Sequence, residues 1–169
     1  QCVVAAAHEG GLDLYDQAGS LIWRYSDDYP ETIVRISQDG NYIICASYVS
    51  GIAHYFSHLR NGIAGWQPSD GIPVWSTTFK PNAFWVAISG IGNYVAISTS
   101  TPDTVFLLNG AGSVIWNFAF PKPGYIRVDM PCDGKSVVAV NDDPGNANGC
   151  DLFHWNDGCD GWDPADSVP

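Results

Sequence analysis

The sequence has few basic residues, and this scarcity limits what the protein can bind. Its 169 residues include 7 lysines and arginines against 18 aspartates and glutamates, which gives a net charge of −11. A surface with this excess of negative charge repels phosphate backbones and anionic lipid headgroups. We therefore expect no nucleic-acid partner.

Long apolar runs and closely spaced cysteines are also missing. No stretch approaches the roughly 18 apolar residues that a membrane-spanning helix needs, so we expect no membrane span in this sequence. Five cysteines are too few for a fold that depends on disulfides, and their odd number leaves at least one thiol unpaired within the chain.

The sequence is instead rich in turn-forming and aromatic residues. It has 18 glycines and 11 prolines, aromatic residues make up 13% and charged residues only 15%. Many turns, many aromatics and few charges are typical of an all-β protein with short strands.

Two elements recur along the chain. Segments 34–43, 86–95 and 128–137 each read as a short alternating strand, a glycine-containing turn and a second strand, which predicts a hairpin of strands A and B. Segments 16–23 and 109–116 match at a spacing of 93 residues and end in a tryptophan, with a looser copy ending at Trp75. Four antiparallel strands per unit predict the blade of a β-propeller.

The repeating object is a pair of blades. Segments 61–70 and 157–166 match at a spacing of 96 residues, so long C–D loops alternate with short C–D turns. We predict an all-β propeller of four-stranded antiparallel blades, with about four blades in this chain as half of an eight-bladed ring. The predicted blades are, approximately, 1–30, 31–81, 82–124 and an incomplete 125–169.

The two ends of the pattern leave strands out. We expect strand A to be missing from the first blade and strand D from the fourth, because the tryptophan that marks strand D does not follow Val168 and Pro169. An open sheet exposes unpaired edges. The chain is therefore either a segment of a longer protein or one of several copies that close the ring together.

The motifs resemble known propeller families. The Asp/Asn-x-x-Gly-x-x-x-Trp element at 16–23 and 109–116 resembles the blade motif of pyrroloquinoline-quinone-type propellers, the quinoprotein alcohol dehydrogenase-like superfamily. The turn at 37–42 resembles the WD-like repeats of archaeal and bacterial surface proteins. The resemblance implies a propeller located outside the cell or on its surface. It also implies that Trp23, Trp75 and Trp116 dock between neighbouring blades, where a large ring buries much area.

The long C–D loops of the second and fourth blades carry the candidate binding residues. Trp66 and Trp162 occupy the same repeated place on one face, and His58 and Arg60 lie in the loop of Trp66. Aromatic side chains among polar ones are typical contact points for a protein partner or for self-association. The alternative, that both tryptophans fold back onto their own blades, stays open.

An acidic loop in the fourth blade is the one candidate cofactor site. Hard cations bind several oxygens on a flexible loop, so a calcium ion could bind here; the alternative is a solvated acidic loop. We expect no other cofactor. The candidate calcium ligands are Asp157, Asp160, Asp163 and Asp166.

The cysteines allow a geometric prediction. The A–B and C–D turns of a meander lie at the same end of the blade, which brings Cys132 and Cys159 together, whereas Cys150 begins strand C roughly 20 Å away. We therefore predict a Cys132–Cys159 disulfide, which implies an oxidising compartment.

No catalytic set is recognisable in the sequence, since nothing orders its serines and aspartates into a nucleophile and a base. We therefore expect a non-catalytic extracellular or cell-surface propeller that acts as a binding or assembly scaffold. Two alternatives stay open: a fragment of a quinone-dependent dehydrogenase, and a subunit of a homopolymeric surface filament or layer.

Overall fold

Four antiparallel sheets follow one another along the chain. The computed structural model describes the backbone of residues 2–7, 10–29, 31, 33–57, 71–80, 82–120, 124–142, 149–154 and 167–168, and the side chains of residues 10–29, 31, 33–57, 71–80, 82–120 and 124–141. All regular elements in these ranges are strands. In chain order they are β1 (Cys2–Ala7), β2 (Gly11–Asp16), β3 (Leu21–Ser26), β4 (Ile33–Ile36), β5 (Tyr42–Ala46), β6 (Ile52–Ser57), β7 (Trp75–Thr78), β8 (Asn82–Ile88), β9 (Tyr94–Ser100), β10 (Thr104–Asn109), β11 (Val114–Ala119), β12 (Tyr125–Asp129), β13 (Ser136–Asp142), β14 (Gly149–His154) and β15 (Ser167–Val168).

Each sheet is a simple meander. The orders are β1-β2-β3 in sheet 1, β4-β5-β6-β7 in sheet 2, β8-β9-β10-β11 in sheet 3 and β12-β13-β14-β15 in sheet 4. One expectation is corrected, because Ser167 and Val168 form the start of strand D in sheet 4 by pairing with Asp151 and Cys150. The sequence argument tied strand D to a tryptophan, but strand pairing needs only backbone groups in register.

The hydrophobic cores lie between successive sheets. Strands β5 and β9 are buried over almost their whole length, because a sheet covered on both faces needs apolar residues at consecutive positions. Three apolar clusters join sheet 1 to sheet 2, sheet 2 to sheet 3 and sheet 3 to sheet 4. This face-to-face stacking in chain order is the arrangement of propeller blades.

The recurrence at a spacing of 93 residues extends to hydrogen bonds. Asp16 Oδ1 accepts bonds from the backbone N–H groups of residues 18 and 20, and Asn109 Oδ1 accepts them from residues 111 and 113. Gly19 and Gly112 complete the two turns with φ of +82°, a conformation that glycine adopts without strain. The same β-bulge follows Leu14 and Leu107.

The A–B turns of sheets 2, 3 and 4 hydrogen-bond to one another in series. The backbone N–H of Asp39 donates to the carbonyl of Gly90 at 3.0 Å, and the N–H of Gly90 donates to the carbonyl of Cys132 at 2.8 Å. Side chains reinforce the series, since Tyr55 donates its hydroxyl to the carbonyl of Gly92 at 2.7 Å. The three turns therefore form one continuous rim.

Candidate functional site

The first strands of successive sheets lie side by side, as innermost strands do around a propeller axis. Strand β4 contacts β8, and β8 contacts β12. A β-bulge between Ala83 and Trp85 shifts the register of β8, and bulges re-aim the side chains beside them. The side chain of Trp85 packs against the cores on both sides of sheet 3.

Two arginines from different sheets converge on this tryptophan. The guanidinium carbon of Arg35, on β4, lies 5.3 Å from the centroid of the Trp85 ring, and that of Arg127, on β12, lies 5.5 Å from it. Both distances are within the range of cation–π attraction. Both arginine side chains are exposed to solvent.

A cavity of about 260 Å³ adjoins the two arginines and the tryptophan. Val138 and Val140 provide an apolar wall on β13, and Asp129 lies at the edge, where its carboxylate accepts a bond from the N–H of Met130 at 2.9 Å. An arginine fork and a flat aromatic face together suit a planar anionic group such as a carboxylate. The lining residues are Arg35, Trp85, Arg127, Val128, Asp129, Val138 and Val140. We call this the axial cleft.

A second polar group lies between sheets 1 and 2. Nε2 of His54, on β6, is 2.9 Å from Asp27 Oδ2 and 3.5 Å from Glu31 Oε1, and both carboxylates belong to the connection between β3 and β4. Nδ1 of His54 is 2.7 Å from Ser76 Oγ. The ring of Tyr25 lies against the imidazole with centroids 5.0 Å apart. We call Asp27, Glu31 and His54 the interblade triad.

Burial determines the protonation behaviour of this triad. Desolvation raises the pKa of Glu31 to about 7, against a lowering by the Cys45 thiol. Desolvation also lowers the pKa of His54, although its bond to Asp27 opposes that change. Burial raises the pKa of Cys45 well above its ordinary value, so this thiol stays protonated.

The three repeated tryptophans each lie on the last strand of a sheet, Trp23 on β3, Trp75 on β7 and Trp116 on β11. Trp75 stacks on Tyr55 with ring planes 3° apart and donates its Nε1–H to the carbonyl of Gly110 in sheet 3 at 3.1 Å. Trp23 is 6% exposed and stacks on Phe56 of sheet 2. Trp116 packs at the core between sheets 3 and 4.

The predicted Cys132–Cys159 disulfide is not found. Cys132 is an exposed free thiol, and its Sγ lies 2.8 Å from Gln38 Oε1 of sheet 2. The sequence argument compared only the two ends of one blade. The rim of A–B turns instead brings Cys132 of sheet 4 within reach of sheet 2, through the bonds that Gly90 of sheet 3 makes to both turns.

Most of the predicted loop residues lie outside the described residues. These are His58, Arg60, Trp66, Asp157, Cys159, Asp160, Trp162, Asp163 and Asp166. The predictions of a loop binding surface and of a calcium site therefore stay predictions.

Sequence reasoning missed both the axial cleft and the interblade triad. It did not connect His54, inside strand β6, with Asp27 and Glu31 in the connection between β3 and β4. The sequence did contain a signal for this site: Asp27 and Glu31 precede strand β4, and His54 lies within the largely apolar strand β6. Trp85 likewise differs from the three repeated tryptophans by its place on the first strand of a sheet.

The comparisons with known proteins establish the fold. No family model and no curated protein matches the chain. Among solved structures, the chain is similar to the β-propeller domain of Cps50 (Swd1) from Myceliophteria thermophila, with a TM-score of 0.71 and 17% identity. The match covers 92% of this chain and 48% of that one, so the chain spans about half the length of that structure. The predicted β-propeller is confirmed, whereas the resemblance to quinone-binding propellers is not.

The described residues contain no helix long and apolar enough to cross a membrane.

Proposed function

We propose that this protein is a non-catalytic binding scaffold whose axial cleft takes a carboxylate from an acidic segment of a protein partner. One observation carries the proposal: Arg35 and Arg127, from sheets on either side of Trp85, converge on a single indole ring. Propeller blades surround a central channel, and a concave site with a few convergent polar groups is the usual form of a binding site.

The scarcity of basic residues gives this convergence its weight. Arg24 is engaged within its own sheet, since its Nε and Nη2 donate to the two carboxylate oxygens of Asp13 at 2.7 Å. Within the part of the chain that the structure describes, Arg35 donates one bond, from Nη1 to the backbone carbonyl of Val34, although its guanidinium carries five N–H donors. On a protein with a net charge of −11, two exposed arginines around one ring form a local site for a negative group.

The test measures binding of a fluorescent peptide of alternating glutamate and glycine, with the glutamine version as a control for charge. We expect Arg35→Gln and Arg127→Gln each to weaken binding by about tenfold, the loss expected for a charge-assisted hydrogen bond. The matched control is Lys80→Gln with Lys135→Gln, which removes two positive charges from exposed positions outside the cleft.

Two results would overturn the proposal. One is equal binding of the glutamate and glutamine peptides, and the other is a weakening by the lysine pair as large as that caused by either arginine variant. The native mass of the full-length protein, measured beside these titrations, tells whether a second copy of the chain is itself the acidic partner.

We further propose an extracellular or cell-surface location, which rests on the resemblance of the turn at 37–42 to surface-protein repeats and on the low content of charged residues. Cleavage of the native protein by protease added to intact cells tests it. Protection until the cells are lysed would contradict it.

A further inference from the structure

The interblade triad has the composition and the spacing of a metal site. One ligand atom each from Asp27, Glu31 and His54 lies within 4.8 Å of the other two. We propose that these three residues bind a divalent transition metal ion of the zinc type, which fastens the connection between sheets 1 and 2 onto sheet 2.

The distances within the triad suit zinc after small side-chain movements. With zinc-to-ligand bonds of about 2.0–2.2 Å in tetrahedral geometry, neighbouring ligand atoms lie roughly 3.2–3.6 Å apart. His54 Nε2 lies 2.9 Å from Asp27 Oδ2 and 3.5 Å from Glu31 Oε1. Rotation of the Asp27 carboxylate, whose side chain is 16% exposed, is enough to open the shorter distance.

Glu31 provides a second and independent observation. Its side chain has no exposed surface, and neither carboxylate oxygen has a hydrogen-bond partner among the described residues. Its described neighbours are Nε2 of His54 at 3.5 Å and the Cys45 thiol, which compensate poorly for the water that a buried carboxylate loses. It is a group for which a cation supplies the missing contact, and Oε1 is directed towards the histidine.

The surroundings of His54 fix the ring in the orientation that a metal ligand needs. Histidine ligands commonly donate their second ring N–H to an oxygen, which sets the tautomer and the ring plane. The contact of Nδ1 with Ser76 Oγ at 2.7 Å plays that part, and it leaves Nε2 pointing at the two carboxylates. The ring of Tyr25 packs on the imidazole and limits its rotation.

The donor set selects the class of metal. One imidazole and two carboxylates suit zinc and neighbouring transition metals. Calcium prefers six to eight oxygens at longer distances, so it is disfavoured here. Because Asp27 is partly exposed while His54 and Glu31 are buried, the ion would enter from the side of Asp27.

The experiment uses the full-length protein after treatment with a chelator. Zinc binding is measured by calorimetric titration and by metal analysis of the dialysed protein. We expect the parent protein to bind zinc tightly. Glu31→Gln and Asp27→Asn should each weaken this binding by about 100-fold or more. Ser76→Ala is expected to weaken it by about 10-fold to 100-fold, as loss of an outer partner does. The matched control is Asp28→Asn, which removes an exposed carboxylate next to the site and is expected to leave binding unchanged.

Cobalt provides a readout that separates this site from the thiols. Co²⁺ bound by the triad should show visible d–d bands without the near-ultraviolet absorption of cobalt–thiolate bonds. Thermal unfolding with and without zinc shows that the variants remain folded. Binding of zinc that Glu31→Gln, Asp27→Asn and Asp28→Asn leave equally tight, or a strong thiolate band, would overturn the proposal, as would failure of the parent protein to bind zinc.

Discussion

Tyr42 of sheet 2 lies directly over Gly92 of sheet 3, so closely that a β-carbon on Gly92 would overlap the tyrosine ring. The relationship recurs one sheet later, where the ring of Tyr94 lies over Gly134. In each case an aromatic residue that begins strand B covers the glycine turn of the next sheet. These turns require glycine for two reasons: the backbone has a positive φ, and the tyrosine ring leaves no space for a β-carbon.

Comparison of these turns separates two contributions to stability, the backbone strain of a positive φ and the steric overlap of an added β-carbon. Gly40 and Gly92 have φ of +74° and +73°, but a β-carbon on Gly40 would meet nothing within 4 Å. We expect Gly40→Ala to lower the free energy of unfolding by about 1 kcal/mol from backbone strain alone. Gly92→Ala should lower it by about 3 kcal/mol because overlap with Tyr42 is added. Urea unfolding of both variants measures the difference, and equal losses would contradict the contact.

Two of the repeated tryptophans differ in their ring nitrogens. Trp75 donates to the carbonyl of Gly110, whereas Trp23 Nε1 is buried without a partner among the described residues. We expect Trp75→Phe to cost about 1 kcal/mol more than Trp23→Phe, the usual net value of one hydrogen bond. Thermal or urea unfolding of the two variants provides the comparison. If Trp23→Phe lowered the free energy of unfolding more than Trp75→Phe, packing and not this hydrogen bond would determine which variant is less stable.

The ion pair between Asp13 and Arg24 should produce a defined pH dependence. The hydrogen bonds from Arg24 lower the pKa of Asp13 below its ordinary value, so the folded state binds fewer protons than the unfolded state at low pH. Its contribution to stability is therefore complete above about pH 4 and is lost as the pH falls through the lowered value. Because Arg24 is largely exposed, we expect Asp13→Asn to cost only about 1 kcal/mol at pH 7.

The measurement for this pair is the free energy of unfolding from pH 7 down to pH 2. The difference between the parent protein and Asp13→Asn should shrink towards zero in acid, while the exposed control Asp28→Asn shows little change. A difference that stayed constant throughout would mean that the pair does not titrate as described.

The two described free cysteines should react at very different rates. Cys132 is exposed and Cys45 is buried, and burial raises the pKa of Cys45, so its reactive thiolate is scarce. We expect iodoacetamide to label Cys132 in the native protein and Cys45 only after unfolding. Peptide mapping by mass spectrometry checks both residues. Recovery of a peptide that joins Cys132 to Cys159 would restore the disulfide predicted from the sequence.

The sheets could be predicted because their signals are local and repeated. Alternation, glycine turns and the tryptophan elements each lie within about ten residues. The matching hydrogen bonds accepted by Asp16 and Asn109 show that the two similar segments, 16–23 and 109–116, form the same local structure. Strand β15 was missed because pairing through the backbone carries no side-chain signal.

The candidate sites could not be predicted in the same way because they form between blades. Arg35, Trp85 and Arg127 belong to three different sheets, and no spacing rule within one blade brings them together. The predicted disulfide is not found, and Cys132 instead faces Gln38 of another sheet. Contacts of this kind depend on how sheets stack, which is set by packing over the whole molecule.

The rim of A–B turns leaves its own exposed side chains open to evolutionary change. Its bonds run from backbone to backbone, from Asp39 to Gly90 and from Gly90 to Cys132, and the side chains along it have little chemistry in common. Substitutions of exposed rim residues such as Gln38 and Cys132 can therefore accumulate while the amides that hold neighbouring blades together stay in place. Blades that arise by duplication can in this way acquire new ligands while they still assemble through the same backbone hydrogen bonds.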